Sequence, residues 1–145
     1  MYSTVKKQEN IFISYDDFGK YCEELVDKIR DHKDCEKLEF VYGIPNSGLP
    51  VALHMSKRLD IPLILDLNYA SYANGFVLVC DNLVDTGMTI NSYFDWEQEF
   101  SFSNLFDRKI TAAIANKVDA MYKADIYVLD IMPDQRVVFP WEFSL

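Results

Sequence analysis

Two carboxylates four residues apart, Asp81 and Asp85, with Thr86-Gly87-Met88-Thr89 directly behind them, are the side chains of this sequence best equipped to do chemistry. They follow an apolar run, Val77-Leu78-Val79-Cys80, of the kind that forms a buried parallel strand. The backbone amides of Thr86, Gly87, Met88 and Thr89 would then open a helix, and free amides at a helix start hold a phosphate without needing a cation. Leu83 and Val84 can anchor the turn while both carboxylates face a ligand. Acids beside a phosphate point to ribose hydroxyls or magnesium, so the stretch reads as a nucleotide or sugar-phosphate site. A strand ending in Asp before a Thr/Gly helix cap also occurs in α/β proteins for purely structural reasons.

The elements that position these residues alternate. Ser14 can cap a helix over about 15–31, with Phe18, Cys22, Leu25, Val26 and Ile29 on one face. A strand over 38–44, a helix over 48–59 with Leu49, Ala52, Met55 and Leu59 on its stripe, and a strand over 62–66 follow. After the strand 76–80 come a helix over about 88–97, a polar and aromatic link to Asp107, and strands over 109–115 and 125–131. Strand-helix alternation predicts an α/β fold of three layers, a mainly parallel twisted sheet with helices on both faces and ligands at the carboxyl ends of the strands. At 145 residues and 50% hydrophobic content the chain can bury one sizeable core, so a single domain over 1–145 is expected.

Several function classes are excluded or demoted. A net charge of −9 argues against nucleic acid as a partner, because binding it rests on Lys and Arg neutralising many phosphates. No apolar run reaches membrane-spanning length and no basic-apolar leader is present, which implies no membrane association and a cytoplasmic setting. Cys22, Cys35 and Cys80 have no Cys-x-x-Cys spacing and read as reduced, with Cys22 and Cys80 as core residues. His32 and His54 are isolated and read as ordinary helix residues. Asp85-Thr86-Gly87 matches the aspartic-protease triplet, but it occurs once, and the helices before Leu38 and after Thr89 do not suit an all-β fold.

The stretch 77–89 resembles the phosphoribosyl-diphosphate (PRPP) motif of type I phosphoribosyltransferases, in which two acids, two apolar residues and Asp-Thr-Gly-x-Thr follow a hydrophobic strand. Phe40-Val41-Tyr42-Gly43-Ile44-Pro45-Asn46-Ser47-Gly48-Leu49-Pro50 is similar to that family's earlier strand and diphosphate loop. Lys117, Val137-Val138-Phe139-Pro140-Trp141-Glu142 and the opening segment 11–29 resemble the xanthine/guanine/hypoxanthine branch, so the likeness covers nearly the whole chain.

The resemblance implies transfer of ribose 5-phosphate from PRPP to a 6-oxopurine, with release of diphosphate. In it Asp85 hydrogen-bonds to, or takes a proton from, the purine imidazole nitrogen, and Asp81 and Asn82 hold the ribose hydroxyls. Thr86, Gly87, Met88 and Thr89 grip the 5′-phosphate, and Asn46, Ser47 and Gly48 face the diphosphate. Lys117 meets the 6-oxo oxygen, Arg136 takes the place of the residue stacked on the purine, and Val137 offers backbone groups. Mg²⁺ is the implied cofactor, with Asp81 as its protein ligand. Lys117 also reads as a solvated strand-end residue, and Trp141 as a packing residue.

Three departures matter. Asn82 replaces an acid, Asn46-Ser47 replaces Arg-Gly, and the segment 67–75 is too short for the family's mobile loop and reads as a tight turn between strands. These changes keep open a non-catalytic, regulatory PRPP or nucleotide binder on the same fold. A homodimer or larger homo-oligomer is expected, because family members pair and Phe94, Trp96, Phe100, Phe102 and Phe106 offer more apolar surface than a solvated loop needs.

Overall fold

The computed structural model describes residues 8–98 and 101–142. Ser14 is extended, and its hydroxyl accepts a hydrogen bond from the Asp17 amide at 3.1 Å, which starts helix α1, Tyr15–Arg30. The predicted apolar stripe buries Cys22, Leu25, Val26 and Ile29. Helix α2, Leu49–Leu59, buries Val51, Ala52 and Met55 and leaves Leu53 49% exposed on its outer side.

Strands β2 (Leu38–Gly43), β3 (Leu63–Ile64), β4 (Phe76–Val84), β5 (Lys109–Lys117) and β6 (Ile126–Ile131) form one parallel sheet in the order β3-β2-β4-β5-β6. A second, two-stranded parallel sheet joins β1 (Glu9–Phe12) to β7 (Gln135–Val138). The pleat sends Leu78 and Cys80 of β4 toward the core that contains the buried faces of α1 and α2. Val77 and Val79 turn the other way, into a core with Ile90 and Phe94 of helix α4 (Met88–Phe94) and Ala70 of the short helix α3 (Asn68–Ser71). Helices therefore cover both faces of a parallel sheet, as expected of the type I phosphoribosyltransferase-like fold.

Several boundaries differ from the sequence reading: the strand expected over 62–66 is only Leu63–Ile64, and β5 runs two residues past Ala115 to Lys117. β4 runs past Cys80 to Val84, so Asp81 and Asn82 are strand residues. The segment 67–75 is not a simple turn: Asp66 Oδ1 accepts from the Asn68 amide at 2.9 Å, and α3 follows with Leu67 and Ala70 turned into the core. α4 stops at Phe94, because Asp95 is extended and its Oδ1 captures the Glu97 amide at 2.9 Å. His32 lies in the turn after α1, where its Nδ1 accepts from the Asp34 amide, while His54 on α2 pairs with Glu23 at 2.9 Å.

The aromatic link is partly core. Phe94 is buried, Phe102 is packed against the second core, and Trp96 and Phe106 stay exposed; Phe100 lies outside the described residues. Lys109 sets its ammonium 5.1 Å from the Phe94 ring and 4.7 Å from that of Phe106. Trp141 stacks on Phe139 at 5.2 Å and meets the edge of Phe18 at 5.1 Å, a packing role as its sequence position suggested.

Candidate functional site

The last β2–β4 pair is Gly43 with Cys80, so β4 overhangs its neighbour by four residues. Two amides in this overhang are served by side chains one residue earlier. Asp81 Oδ1 accepts from Asn82 N at 2.8 Å, and Asn82 Oδ1 accepts from Leu83 N at 2.7 Å. Both side chains are nearly buried, at 7% and 6% exposure. Burial without a cationic partner disfavours the carboxylate, and the Asp81 pKa rises from 3.8 to about 6, although the Asn82 amide pulls it back somewhat.

Past Val84 the chain turns sharply at Gly87, which holds φ +86°. A Cβ there would run into the backbone of Tyr122, so only glycine brings the turn this close to the 121–122 segment. The amides of Met121 and Tyr122 donate to the Thr86 carbonyl at 3.0 and 3.3 Å and pin the turn from behind. Thr86 Oγ1 accepts from the Met88 amide at 3.2 Å. The result is a cavity of ≈ 80 Å³ whose polar lining comes from Asp81, Asp85, Thr86, Gly87 and Thr89. Several waters or one tetrahedral oxyanion suit that space.

Two further segments reach the same end of the sheet. Gly48 lies so close to the Cys80 carbonyl and the Ile44 backbone that any side chain would collide, which seats the 45–48 loop against β4. Within that loop the Pro45–Asn46 peptide is cis, Asn46 is exposed and Ser47 half-buried. Lys117 is the final residue of β5, and its ammonium stands 3.8 Å from Asp85 Oδ1 and 3.5 Å from the Pro133 carbonyl. The Lys117 side chain is 13% exposed and that of Asp85 68%, so a mostly buried cation faces an accessible carboxylate.

Not every predicted residue joins this cavity. Asn82 is adjacent but spent on its own backbone, Met88 points to solvent, and neither lines the space. Arg136 is exposed on β7, opposite Asn10, and the Val137 side chain is in the core, leaving only its backbone for a ligand. Sequence reasoning missed Asn116, which is 1% exposed. Its amide group donates to the Lys117 carbonyl at 3.0 Å and accepts from the Ala124 amide at 2.9 Å, tying the end of β5 to the segment behind Gly87. A buried polar residue directly before Lys117 was the available signal.

Burial pushes the Cys22 thiol up to about 12 and raises that of Cys80 as well, so neither is a nucleophile. Among the described residues, no group of three or more His, Cys, Asp or Glu side chains could hold a metal by itself. Asp81 and Asp85 in one cavity do suit Mg²⁺, which is commonly held by one or two carboxylates, with water and substrate phosphates supplying the rest.

No family model matches the chain. It is 25% identical over 125 residues to the xanthine-guanine phosphoribosyltransferase of Cereibacter sphaeroides, covering 72% of this chain and 70% of that one. The xanthine-guanine phosphoribosyltransferase of Idiomarina loihiensis is also 25% identical, over 92% and 88% of the two chains. The crystal structure of a purine phosphoribosyltransferase from Pyrococcus horikoshii superposes with a TM-score of 0.75 at 21% identity, covering 94% of this chain and 96% of that one. The chain is type I phosphoribosyltransferase-like. In that likeness the Asp81–Thr89 cavity stands at the carboxyl end of the central strand, where an open parallel sheet takes its ligands. No helix among the described residues of this phosphoribosyltransferase-like chain is long and apolar enough to cross a membrane.

Proposed function

We propose that this chain is a single-domain phosphoribosyltransferase of the cytoplasm that moves ribose 5-phosphate from PRPP to a 6-oxopurine and releases diphosphate. One observation carries the reading: the cavity that joins Asp81, Asp85 and the 86–89 turn, with Lys117 at its edge. Sequence likeness to two xanthine-guanine phosphoribosyltransferases supports the substrate class. Three free cysteines, two of them buried, support a reducing compartment.

In the reaction the bond between ribose C1 and the diphosphate oxygen breaks, leaving its electron pair on the diphosphate. An imidazole nitrogen of the purine then forms the new bond to C1. Thr86 and Thr89, with the turn amides, hold the 5′-phosphate, and Asp81 orients the ribose hydroxyls, with Asn82 joining it only once its side chain leaves the Leu83 amide. Asp85 takes the proton that the purine sheds, or holds it by hydrogen bond as positive charge spreads over the ribose ring. Lys117 leaves Asp85 for the 6-oxo oxygen, favouring bases with an acceptor there over adenine. Arg136 can lay its guanidinium plane on the base, and the Val137 backbone can meet its edge. Asn46, Ser47 and Gly48 present backbone groups to the diphosphate. Asp81 would hold Mg²⁺, which would supply charge neutralisation on the leaving diphosphate.

The test is direct. Incubating the protein with PRPP, magnesium and each of guanine, hypoxanthine and xanthine in turn is expected to yield nucleotide and diphosphate; adenine should give at least about tenfold less. A second reading, a non-catalytic PRPP or nucleotide binder, is favoured by the near-buried, self-engaged Asp81 and Asn82. Saturable PRPP binding without nucleotide formation would select it.

A further inference from the structure

The 45–48 loop lacks a cation toward the diphosphate, and its own chain offers no nearby substitute on α2. Lys57 is on that helix, but eight residues beyond Leu49, about 12 Å along the axis at the usual 1.5 Å rise per residue. Leu49, Leu53 and Lys57 are spaced four apart, so they follow one another along a single face. That face is the outer one. Leu53 is 49% exposed, Lys57 is exposed, and a groove of ≈ 520 Å³ lined by Asn46, Leu49, Pro50, Leu53 and Leu63 runs beside it.

Beyond the groove lies β3, a two-residue edge strand whose continuation carries Leu65 at 76%, Tyr69 at 68% and Tyr72 at 89% exposure. None of the five groove residues is charged, in a chain whose net charge is −9. Two copies of so acidic a protein repel one another over most of their surface, and the uncharged groove along α2, with Lys57 at one end, is where they can approach.

We propose that α2 packs antiparallel on α2 of a second copy, about a twofold axis at Leu53, and that each copy's Lys57 completes the other's diphosphate loop. The geometry follows from the spacing. Lys57 and Leu49 are equidistant from Leu53, so a twofold at Leu53 brings Lys57 of one copy over Leu49 of the other, next to Asn46 and Ser47. Packed helices stand about 8–10 Å apart, a gap that an extended lysine side chain can span. The assignment of a ligand to this lysine rests on the PRPP reading; the interface does not.

Sedimentation at micromolar concentration is expected to show a dimer for the wild type and a monomer for Leu53→Asp, with circular dichroism unchanged. Lys57→Ala should remain dimeric while its KM for PRPP, or its Kd where only binding is measured, rises at least about fivefold. Co-expressing Lys57→Ala with Asp85→Asn makes mixed dimers in which one site has its own Asp85 and the other copy's Lys57. With PRPP well below KM, mixing should lift turnover clearly above the mean of the two parents, because the intact sites, half of those in the half of the dimers that are mixed, alone supply about a quarter of the wild-type rate. A monomeric wild type, a dimeric Leu53→Asp, unaltered PRPP affinity in Lys57→Ala, or no recovery on mixing overturns the inference. A dimer that binds no PRPP instead overturns the functional reading, and Leu53→Asp still decides the interface.

Discussion

Asp81 is a carboxyl whose charge the fold resists. Its pKa is raised in the folded chain, from 3.8 to about 6, so between those values the native state holds a proton that the unfolded chain has lost. The stability this gives is complete below about pH 4 and is lost as pH rises through about 6. Asp81→Asn removes the ionisation while keeping an oxygen for the Asn82 amide. Chemical denaturation should therefore show the variant more stable than wild type by about 3 kcal/mol at pH 8 and equal to it at pH 4. Equal stability at both values would contradict the assignment. The sequence showed Asp81, Asp85, Thr86, Gly87 and Thr89 as neighbours in a ligand site, because spacing reports which residues share a turn. It did not show that Asp81 and Asn82 would be buried and spent on their own amides, since that depends on β4 outrunning β2 in three dimensions. For Lys117, replacement by Met keeps the packing of the stem and removes the ammonium. Steady-state kinetics should show kcat/KM for 6-oxopurines falling about 10- to 100-fold, the worth of a hydrogen bond to a charged group; an unchanged value would return Lys117 to a purely structural pairing with Asp85.

The 84–89 turn and the 117–124 segment act as one element. Gly87 fits only because it has no side chain, and the Met121 and Tyr122 amides close on the Thr86 carbonyl behind it. Gly87→Ala forces a left-handed alanine against the Tyr122 backbone, at a cost of about 1–3 kcal/mol. Thermal melts should show that loss, and titration should show PRPP affinity falling with it, whereas tolerance of alanine in both would mean that the turn is not held this tightly. Trp141 belongs to a different element, the aromatic stack with Phe139 and Phe18. Trp141→Ala should cost about 3 kcal/mol of stability and leave base preference untouched; a changed preference would move Trp141 to the base. Helix periodicity made α1 and α2 legible, and the apolar runs made β2, β4 and β5 legible. The second sheet was harder, because β1 and β7 are four residues each and pair from opposite ends of the chain, a register that no local pattern encodes. α3 was hidden for a similar reason: its start depends on Asp66 capturing one amide.

At the scale of the whole molecule, a parallel sheet with helices on both faces brings the ends of β2, β4 and β5 to one edge, and the residues suited to phosphate, ribose and base gather there. The fold class was legible because strand and helix alternate along the sequence. What the sequence could not supply was the relation between the 45–48 loop and any second copy, which depends on which helix face remains uncovered. In the proposed reaction the phosphoryl group of a ribose phosphate sits among Thr86, Gly87 and Thr89, with Asp85 beside the anomeric carbon. A crystal structure with ribose 5-phosphate measures this most directly. The predicted result is a phosphate held by the 86–89 turn and sugar hydroxyls turned toward Asp81; an unfilled cavity at saturating ligand, or a sugar phosphate bound elsewhere on the chain, would contradict it.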